Sequence, residues 1–252
     1  MGVIVVKMGG VASDNLDAAF FDQIKTWQTQ GKQVVIVHGG GYYISEMMQR
    51  LGQEVHIQNG LRVTDAGTLE ITRMVLLGQV QPLITTKFLA EGFHALGLSA
   101  GSDQLIQGDF LNQGELGFVG QVSQVNQALL TVLLEKEHIP IIAPLGITKE
   151  GQWLNINADE VACKVASSLQ AEALYLLTDV PGIRKQDEWL TRVSVEQVSQ
   201  LVAEKVVSGG MLPKLASAQT ALEAGVTAVY ITNSIASQGT ELYYQECLQL
   251  EA

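Results

Sequence analysis

The feature of this sequence that most constrains its fold is the alternation of short β-branched runs with helical patterns along the chain. Residues 3–7 and 33–38 have the composition of buried strands, and apolar residues recur at helical spacing between them. Further strand patterns lie near 139–144, 173–178 and 226–232. Strands separated by helices predict right-handed crossovers and a mainly parallel sheet that is covered on both faces. We therefore expect an α/β fold, a three-layer αβα sandwich with a central open sheet.

The remaining segments divide into helices and hairpins. Helical patterns cover roughly residues 65–78, 80–93, 125–137, 158–169, 194–204 and 214–224. Segments 54–63 and 110–122 mix polar and apolar residues with glycines, which is typical of β-hairpins. In an open sheet of this kind, ligands bind beyond the carboxyl ends of the strands. The loops after Val6, Val37 and Leu177 are therefore the expected location of a site.

The composition excludes several classes of protein. Hydrophobic residues make up 47% of the chain and charged residues 16%, which is enough apolar material for a core and argues against disorder. The net charge of −11 argues against a nucleic-acid-binding groove. Two cysteines, Cys163 and Cys247, make no disulfide framework, so a reducing cytoplasmic setting is expected. No apolar stretch approaches the roughly 18 residues of a membrane span.

Two strand ends lead into glycine-rich turns. Residues 7–10 read Lys-Met-Gly-Gly, and residues 38–41 read His-Gly-Gly-Gly and lead into a helix. Glycines at such turns let backbone N–H groups approach an anion, although either turn alone could serve packing only. Lys7 favours the anion site, because a lysine at the end of a buried strand needs a negative partner.

Three more charged residues have open interpretations from the sequence. Lys214 follows a glycine-rich segment that enters a helix, where an isolated lysine is more often solvated. Asp159 is either a first-turn acid favoured by the helix dipole or a carboxylate that holds the two lysines. Arg62 follows the first hairpin and is either a surface residue or a bidentate carboxylate ligand. Asp65 is expected to be an N-cap.

An α/β-hydrolase is the alternative from a different class. The glycines after His38 and the segment Gly97-Leu98-Ser99-Ala100-Gly101 imitate an oxyanion loop and a nucleophile elbow. However, the only histidine after Ser99 is His138, which precedes an apolar run, and residues 102–108 read as extended rather than helical. This alternative would also leave Lys7 without a role.

Taken in order, these motifs resemble those of the amino acid kinase family. The similar segments are residues 7–10, 38–41, 59–65, 97–99, 115–120, 155–159, 177–182 and 209–214. Segments 59–65 and 115–120 are similar to those of the branch that phosphorylates N-acetyl-L-glutamate. Met8 stands where leucine or isoleucine is common in the family. The resemblance covers nearly the whole chain and implies the amino acid kinase fold with two lobes.

The resemblance also implies residue roles. Catalytic roles fall to Lys7, Lys214, Asp159, Gly10 and Gly41. Substrate binding falls to Gly39, Gly40, Gly41, Arg62, Asn155 and Asn157. ATP binding falls to Lys7, Gly9, Gly10, Thr178, Asp179, Val180, Gly182, Gly210, Met211 and Lys214. The two lysines would flank the transferring phosphoryl group, and Asp159 would organise both.

The implied reaction is ATP-dependent phosphorylation of the γ-carboxylate of N-acetyl-L-glutamate to N-acetyl-L-glutamyl 5-phosphate, in arginine biosynthesis. Mg²⁺ would accompany ATP as co-substrate, and no metal bound by protein ligands and no tightly bound cofactor is expected. Residues 1–170 would form a lobe that binds acetylglutamate and dimerises, and residues 171–252 a lobe that binds ATP. Because the sequence starts directly on its first strand, we expect a homodimer that arginine does not inhibit.

Other readings remain within and outside this family. Relatives with this scaffold phosphorylate other carboxylates, such as glutamate, aspartate or carrier-linked aminoadipate. An acidic carrier is disfavoured, because a chain of net charge −11 would repel it. A nucleotide-binding sensor without catalysis is a further alternative, which the presence of both lysines and Asp159 disfavours.

Overall fold

The computed structural model describes residues 2–9, 16–207 and 209–244. The strands are β1 Val3–Met8, β2 Gln33–His38, β3 Ile57–Gln58, β4 Leu61–Arg62, β5 Ala95–Leu98, β6 Ile106–Phe110, β7 Val119–Val125, β8 Ile139–Ile142, β9 Leu145–Ile147, β10 Trp153–Ile156, β11 Ala173–Leu177, β12 Arg184–Lys185, β13 Glu188–Trp189, β14 Arg192–Ser194, β15 Ala228–Thr232 and β16 Thr240–Tyr243. The α-helices are α1 Ala18–Thr29, α2 Gly41–Arg50, α3 Ala66–Val75, α4 Gln81–Ala90, α5 Gln127–Glu135, α6 Ala158–Ser168, α7 Val195–Ala203 and α8 Met211–Glu223.

Within the described residues, eight strands form one open sheet in the order β14-β16-β15-β11-β1-β2-β8-β5. The strands from β15 to β5 are all parallel to their neighbours, whereas β16 runs antiparallel to β15. The expected mainly parallel open sheet is therefore confirmed. The buried apolar runs of β1 and β2 lie at its centre, as expected for strands covered on both faces.

Helices cover both faces of the sheet around β1. Val6 pairs in register with Tyr175, and Lys7 pairs with Leu176. Because side chains alternate along a strand, Val6 and Lys7 point to opposite faces of the sheet. On one face, Trp27 of α1 packs against Tyr175 with ring centroids 5.1 Å apart. On the other face, α6 packs on β1, and α8 packs beside α6. The core is thus continuous through three layers.

The second predicted hairpin belongs to a larger unit. β6 and β7 pair antiparallel as expected, but they begin and end outside residues 110–122. They close with β9 and β10 into a barrel, the one closed barrel in the described chain. This barrel ends at Ile156, directly before α6, and so fixes where α6 begins. The first predicted hairpin is confirmed as the pair β3–β4.

The two helices predicted after Asp65 form one continuous helical segment. Asp65 is the N-cap of α3, because its Oδ1 accepts a hydrogen bond from the Thr68 N–H at 2.7 Å. A π-helical turn over Leu76–Val80 then joins α3 directly to α4. No helix among the described residues is long and apolar enough to cross a membrane.

Candidate active site

The loops that the sequence analysis singles out meet at one edge of the sheet. β1 lies between β2 and β11, and all three strands are parallel, so their carboxyl ends point the same way. The Gly39 N–H donates to the Met8 carbonyl at 2.8 Å, which joins the ends of β1 and β2. Gly9 lies against the carbonyl of Leu177, since a Cβ on Gly9 would be 3.7 Å from it. This edge carries the candidate active site.

One carboxylate at this edge is shared by two lysines. Asp159, in the first turn of α6, lies with its Oδ1 2.8 Å from the Nζ of Lys7. Its Oδ2 lies 3.2 Å from the Nζ of Lys214, which is in the first turns of α8. The side chains of Lys7 and Asp159 are only 8% and 11% exposed. Three elements far apart in sequence thus place two cations and one anion in a buried cluster, here called the lysine–aspartate triad (Lys7, Asp159 and Lys214).

The triad carries an excess positive charge. Burial lowers the pKa of Lys7, and the nearby Lys214 lowers it further, while Asp159 opposes both. Burial alone would raise the pKa of Asp159, but the two ammonium groups together hold it below 3.8. Asp159 is therefore ionised at neutral pH. A single carboxylate between two ammonium groups leaves one positive charge to be met by an anionic ligand.

The residues before Asp159 position it. Asn157 is the N-cap of α6, and its Oδ1 accepts a hydrogen bond from the Asp159 N–H at 2.8 Å. Asp159 and Glu160 both lie in the first turn, where the helix dipole favours negative charge. Glu160 also accepts the Val122 N–H at 2.7 Å, which fixes α6 to the barrel. Asn155, at the end of β10, donates to the Thr64 hydroxyl at 3.0 Å.

Arg62, in β4, has only uncharged partners among the described residues. One of its terminal nitrogens donates to the Gly41 carbonyl and to the Ser45 hydroxyl, both at 2.9 Å. The other contacts the sulfur of Met48 at 3.4 Å. Partial burial lowers the pKa of Arg62 from its ordinary value, yet the group remains a cation at neutral pH. Its charge is thus held in place and available to a ligand carboxylate.

A cavity of about 350 Å³ connects these groups. It is lined by Lys7, Gly9, Gly39, Gly40, Gly41, Ile44, Ile57, Gly60, Leu61, Arg62, Leu76, Val119, Pro144, Asn155, Ile156, Asn157, Ala158 and Asp159. All the predicted substrate-binding residues are among them. The volume suits a small organic ligand. With Arg62, Lys7 and Asp159 on its wall and Lys214 bound to Asp159, the cavity can accept a molecule that carries two anionic groups.

Among the predicted ATP-binding residues that the structure describes, Lys7 and Gly9 line this cavity and the others do not. Thr178 follows β11, where its N–H donates to the Thr232 carbonyl at 2.8 Å and its hydroxyl to Asp179 at 2.9 Å. Val180 and Gly182 continue that loop. Gly210 is the N-cap of α8 and Met211 its first residue, one turn from Lys214. Gly10 lies outside the described residues.

Three contacts of the site were not predicted from the sequence. Ser45 holds Arg62, Thr64 holds Asn155, and Leu76 of the π-helical turn lies against Gly40, where a Cβ would come within 2.4 Å of it. Ser45 follows Gly41 by one helical turn, so the two share a helix face, which is a usable signal for a joint role. No comparable local signal marks Thr64 or Leu76.

The hydrolase interpretation does not fit the local structure. Ser99 follows β5, and the Ser102 N–H donates back to its carbonyl at 3.0 Å in a turn. The chain then enters β6 of the barrel rather than a helix. A nucleophile elbow requires a strand–turn–helix arrangement, so Ser99 does not have the local structure of a hydrolase nucleophile.

Comparison with known proteins agrees with this arrangement. The family model described as amino acid kinase family matches residues 2–233. Acetylglutamate kinase from Listeria monocytogenes serotype 4b (strain CLIP80459) is 53% identical over 239 residues, which cover 95% of this chain and 96% of the relative. Acetylglutamate kinase from Leuconostoc citreum (strain KM20) is 45% identical over 237 residues, which cover 94% and 97%.

Two solved structures are similar to this chain in fold. The smu.665 protein of Streptococcus mutans UA159 has a TM-score of 0.90 and 37% identity, over 96% of this chain and 99% of that one. Carbamate kinase from Giardia lamblia bound to AMP-PNP has a TM-score of 0.70 and 15% identity, over 97% and 99%. The latter similarity concerns the fold alone. From the family match and the identity to curated relatives, the chain belongs to the amino acid kinase family.

Proposed function

We propose that this protein transfers the γ-phosphoryl group of ATP to the γ-carboxylate of N-acetyl-L-glutamate, giving N-acetyl-L-glutamyl 5-phosphate for arginine biosynthesis. The observation that carries the proposal is the sharing of Asp159 by Lys7 and Lys214 at one side of a cavity whose wall also holds Arg62. Relatives up to 53% identical over nearly the whole chain are named acetylglutamate kinase, which supports this choice of substrate.

The cavity fits an acid with two carboxylates. Arg62 supplies a cation whose described partners are uncharged, so it can pair with the carboxylate that does not react. Asn155 and Asn157 add amide groups on the same wall. The reacting carboxylate would then face Lys7 and the glycines 39–41. A free amino group would place a further cation in a site that already carries excess positive charge, which favours an N-acylated acid over glutamate.

Phosphoryl transfer to a carboxylate needs electrostatics more than proton transfer. The acceptor is ionised at pH 7, so no general base is required. The transferring group carries negative charge on its equatorial oxygens, and catalysis depends on in-line positioning and on stabilising that charge. Lys7 and Lys214 supply two ammonium groups, and Asp159 holds both in position. Mg²⁺ would enter with ATP as part of the substrate.

The nucleotide would bind on the side of Lys214. Thr178, Asp179, Val180 and Gly182 form the loop after β11, and Gly210 and Met211 begin α8, whose amino end favours phosphate. The proposed lobes of residues 1–170 and 171–252 meet where β1 pairs with β11. The ion pair between Lys214 and Asp159 would then join the two proposed lobes across the site.

The direct test is a hydroxylamine trap for acyl phosphate with Mg-ATP and four acids: N-acetyl-L-glutamate, glutamate, aspartate and N-acetylaspartate. We expect hydroxamate with N-acetyl-L-glutamate alone. Product with another acid would keep the reaction type and move the substrate assignment. No product with any acid, from folded protein that binds ATP, would refute the proposal and leave two alternatives, a sensor or an acceptor that is not a carboxylate.

Variants in the triad test the role of the lysines. Lys7→Ala and Lys214→Ala should each lose about 10²–10³ in rate, the usual effect of removing one transition-state donor. Lys25→Ala is the matched control, because that side chain is 48% exposed and its ion pairs with Asp22 and Glu91 lie at the surface. Near-normal turnover by a folded Lys7→Ala protein would remove Lys7 from the mechanism.

A homodimer that forms through the first lobe is part of the proposal. Met74, Leu83, Leu89 and Leu96 are 39–53% exposed on α3, α4 and β5. β5 is the edge strand of the sheet, whose unpaired backbone groups can meet a second copy. Light scattering should give a dimer mass, and a monomer or hexamer would contradict this. A cytoplasmic location and insensitivity to arginine remain predictions.

A further inference from the structure

His38, the last residue of β2, is a buried histidine that packing does not explain. Its side chain is fully buried, and burial lowers its pKa to about 4, so the ring is neutral at pH 7. Its Nδ1 lies 2.7 Å from the carbonyl oxygen of Gly39. Because a carbonyl only accepts, Nδ1 must carry the proton. Nε2 has no hydrogen-bond partner among the described residues.

A histidine in this environment is unfavourable for stability. A buried polar atom without a partner loses its hydration and gains nothing in return. The neighbouring core positions of β2 are filled by valine and isoleucine, which avoid that loss. Stability alone would therefore favour an aliphatic residue at position 38. The hydrogen bond to Gly39 is the contact that only a donor side chain can make.

That bond fixes the orientation of a peptide on the cavity wall. The Gly39 carbonyl and the Gly40 N–H belong to one planar trans peptide, in which they point in opposite directions. The Gly39 N–H is already bound to the Met8 carbonyl at 2.8 Å. On the far side, Gly40 lies so close to Leu76 that a Cβ would come within 2.4 Å. The peptide is thus held from both sides.

We infer that His38 is a positioning residue which, by holding the Gly39 carbonyl inward, turns the Gly40 N–H toward the phosphoryl group transferred in the cavity. Gly40 and Lys7 both line that cavity, so the peptide and the cation proposed to act on the same group border one space. A preorganised N–H of this kind stabilises charge that develops in the transition state. The identity of the anion as a phosphoryl group rests on the proposed function. The orientation of the peptide does not depend on that function.

The kinetic test compares two replacements of His38. In His38→Asn the amide nitrogen occupies the place of Nδ1 and can still donate, whereas His38→Leu has a similar size and no donor. We expect kcat to fall about 10²-fold in His38→Leu, with KM for ATP changed less than threefold, and at least a tenfold recovery in His38→Asn. Equal activity of the two variants, or near-normal kcat in a folded His38→Leu protein, would overturn the inference.

The control is His138→Leu, a histidine whose Nδ1 also faces a backbone carbonyl, that of His94 at 3.3 Å, at the opposite edge of the sheet. This variant should keep parental kcat. Thermal unfolding of all three variants separates loss of folding from loss of orientation. If His38→Leu does not fold, the comparison of kcat between the parent and His38→Asn still decides, since loss of more than tenfold in a folded His38→Asn protein would also contradict the inference.

A measurement without turnover separates this inference from the proposed function. Two-bond ¹H–¹⁵N correlation spectra of protein labelled with ¹⁵N-histidine report which ring nitrogen carries the proton. We expect the Nδ1–H tautomer for His38 at pH 7, whatever substrate the protein uses. An Nε2–H tautomer would leave the Gly39 carbonyl without a donor and would refute the inference even in an active kinase. If His38 has the expected tautomer but the protein gives no product with any of the four acids, only the proposed function is refuted.

Discussion

Replacing Asp159 by asparagine tests whether the triad is a buried charge cluster. The replacement leaves the ammonium groups of Lys7 and Lys214 near each other with no anion between them, in side chains that are 8% and 17% exposed. Removing one partner of a buried ion pair costs about 3–5 kcal/mol. This loss of stability has an upper limit. The folded chain can avoid the repulsion between the two ammonium groups by releasing the proton of Lys7, the more buried of the two.

The size of that limit depends on pH. Keeping a lysine neutral at pH 7, when its ordinary pKa is about 10.4, costs about 4 to 5 kcal/mol, and about 2 kcal/mol at pH 9. In the variant the unfolded chain then binds one more proton than the folded chain, so the free energy of unfolding rises with pH. The deficit of Asp159→Asn relative to the parent should shrink by about 1.4 kcal/mol per pH unit.

The assay is urea unfolding followed by tryptophan fluorescence at pH 7 and pH 9. A double variant that combines Asp159→Asn with Lys7→Met removes the titrating group and should lose the pH dependence. Asp187→Asn, whose side chain is 97% exposed, controls for loss of a surface ion pair and should unfold like the parent. A deficit that is equal at both pH values would refute the reasoning, because lysine deprotonation would then play no part.

Three further predictions follow from the same geometry. Arg62→Lys keeps the charge but loses the two-pronged donor, so KM for the acid should rise about 10–100-fold with kcat nearly unchanged in steady-state assays. In Gly40→Ala the new Cβ would lie 2.4 Å from Leu76, so kcat should fall at least tenfold, and a second change, Leu76→Ala, should restore part of it. Burial lowers the pKa of His38 to about 4, so the unfolded chain takes up a proton first as pH falls below about 6.5. The parent should therefore lose about 2 kcal/mol more stability than His38→Asn between pH 8 and pH 5, as measured by urea unfolding, and an equal loss would show that His38 is not buried as a neutral group.

Local patterns were sufficient to predict the strands that carry the site. The apolar runs at residues 33–38 and 173–178 match strands β2 and β11 closely, because strands buried on both faces have a composition that identifies them without knowledge of their neighbours. Lys7 was identifiable for the same reason, since a charged residue that ends such a run is costly without a partner. Asp159 could be recognised as a candidate but not paired, because its two partners lie 152 and 55 residues away in sequence.

Contacts between distant segments were not predictable from the sequence. The barrel is built from strands of three to seven residues whose partners depend on closure of the whole unit rather than on any local pattern. Arg62 could be assigned to a hairpin, but its contacts with Gly41 and Ser45 arise only when that hairpin folds over α2. The π-helical turn at Leu76–Val80 was also missed, because its residues fit an α-helical pattern equally well.

The glycine loop after His38 and the glycine-flanked turn at Ser99 differ in function because of where the sheet places them. The loop after His38 and the turn at Ser99 follow strands that point to the same edge, so strand direction does not distinguish them. Strand order does. β2 is paired directly with β1, which places the glycines 39–41 beside Lys7. β8 lies between β2 and β5, which keeps the turn at Ser99 roughly 10 Å from the end of β2 across the sheet. A glycine turn next to a buried cation can hold an anion. The same kind of turn two strands further away, followed by a barrel strand instead of a helix, has neither the charge nor the dipole to do so.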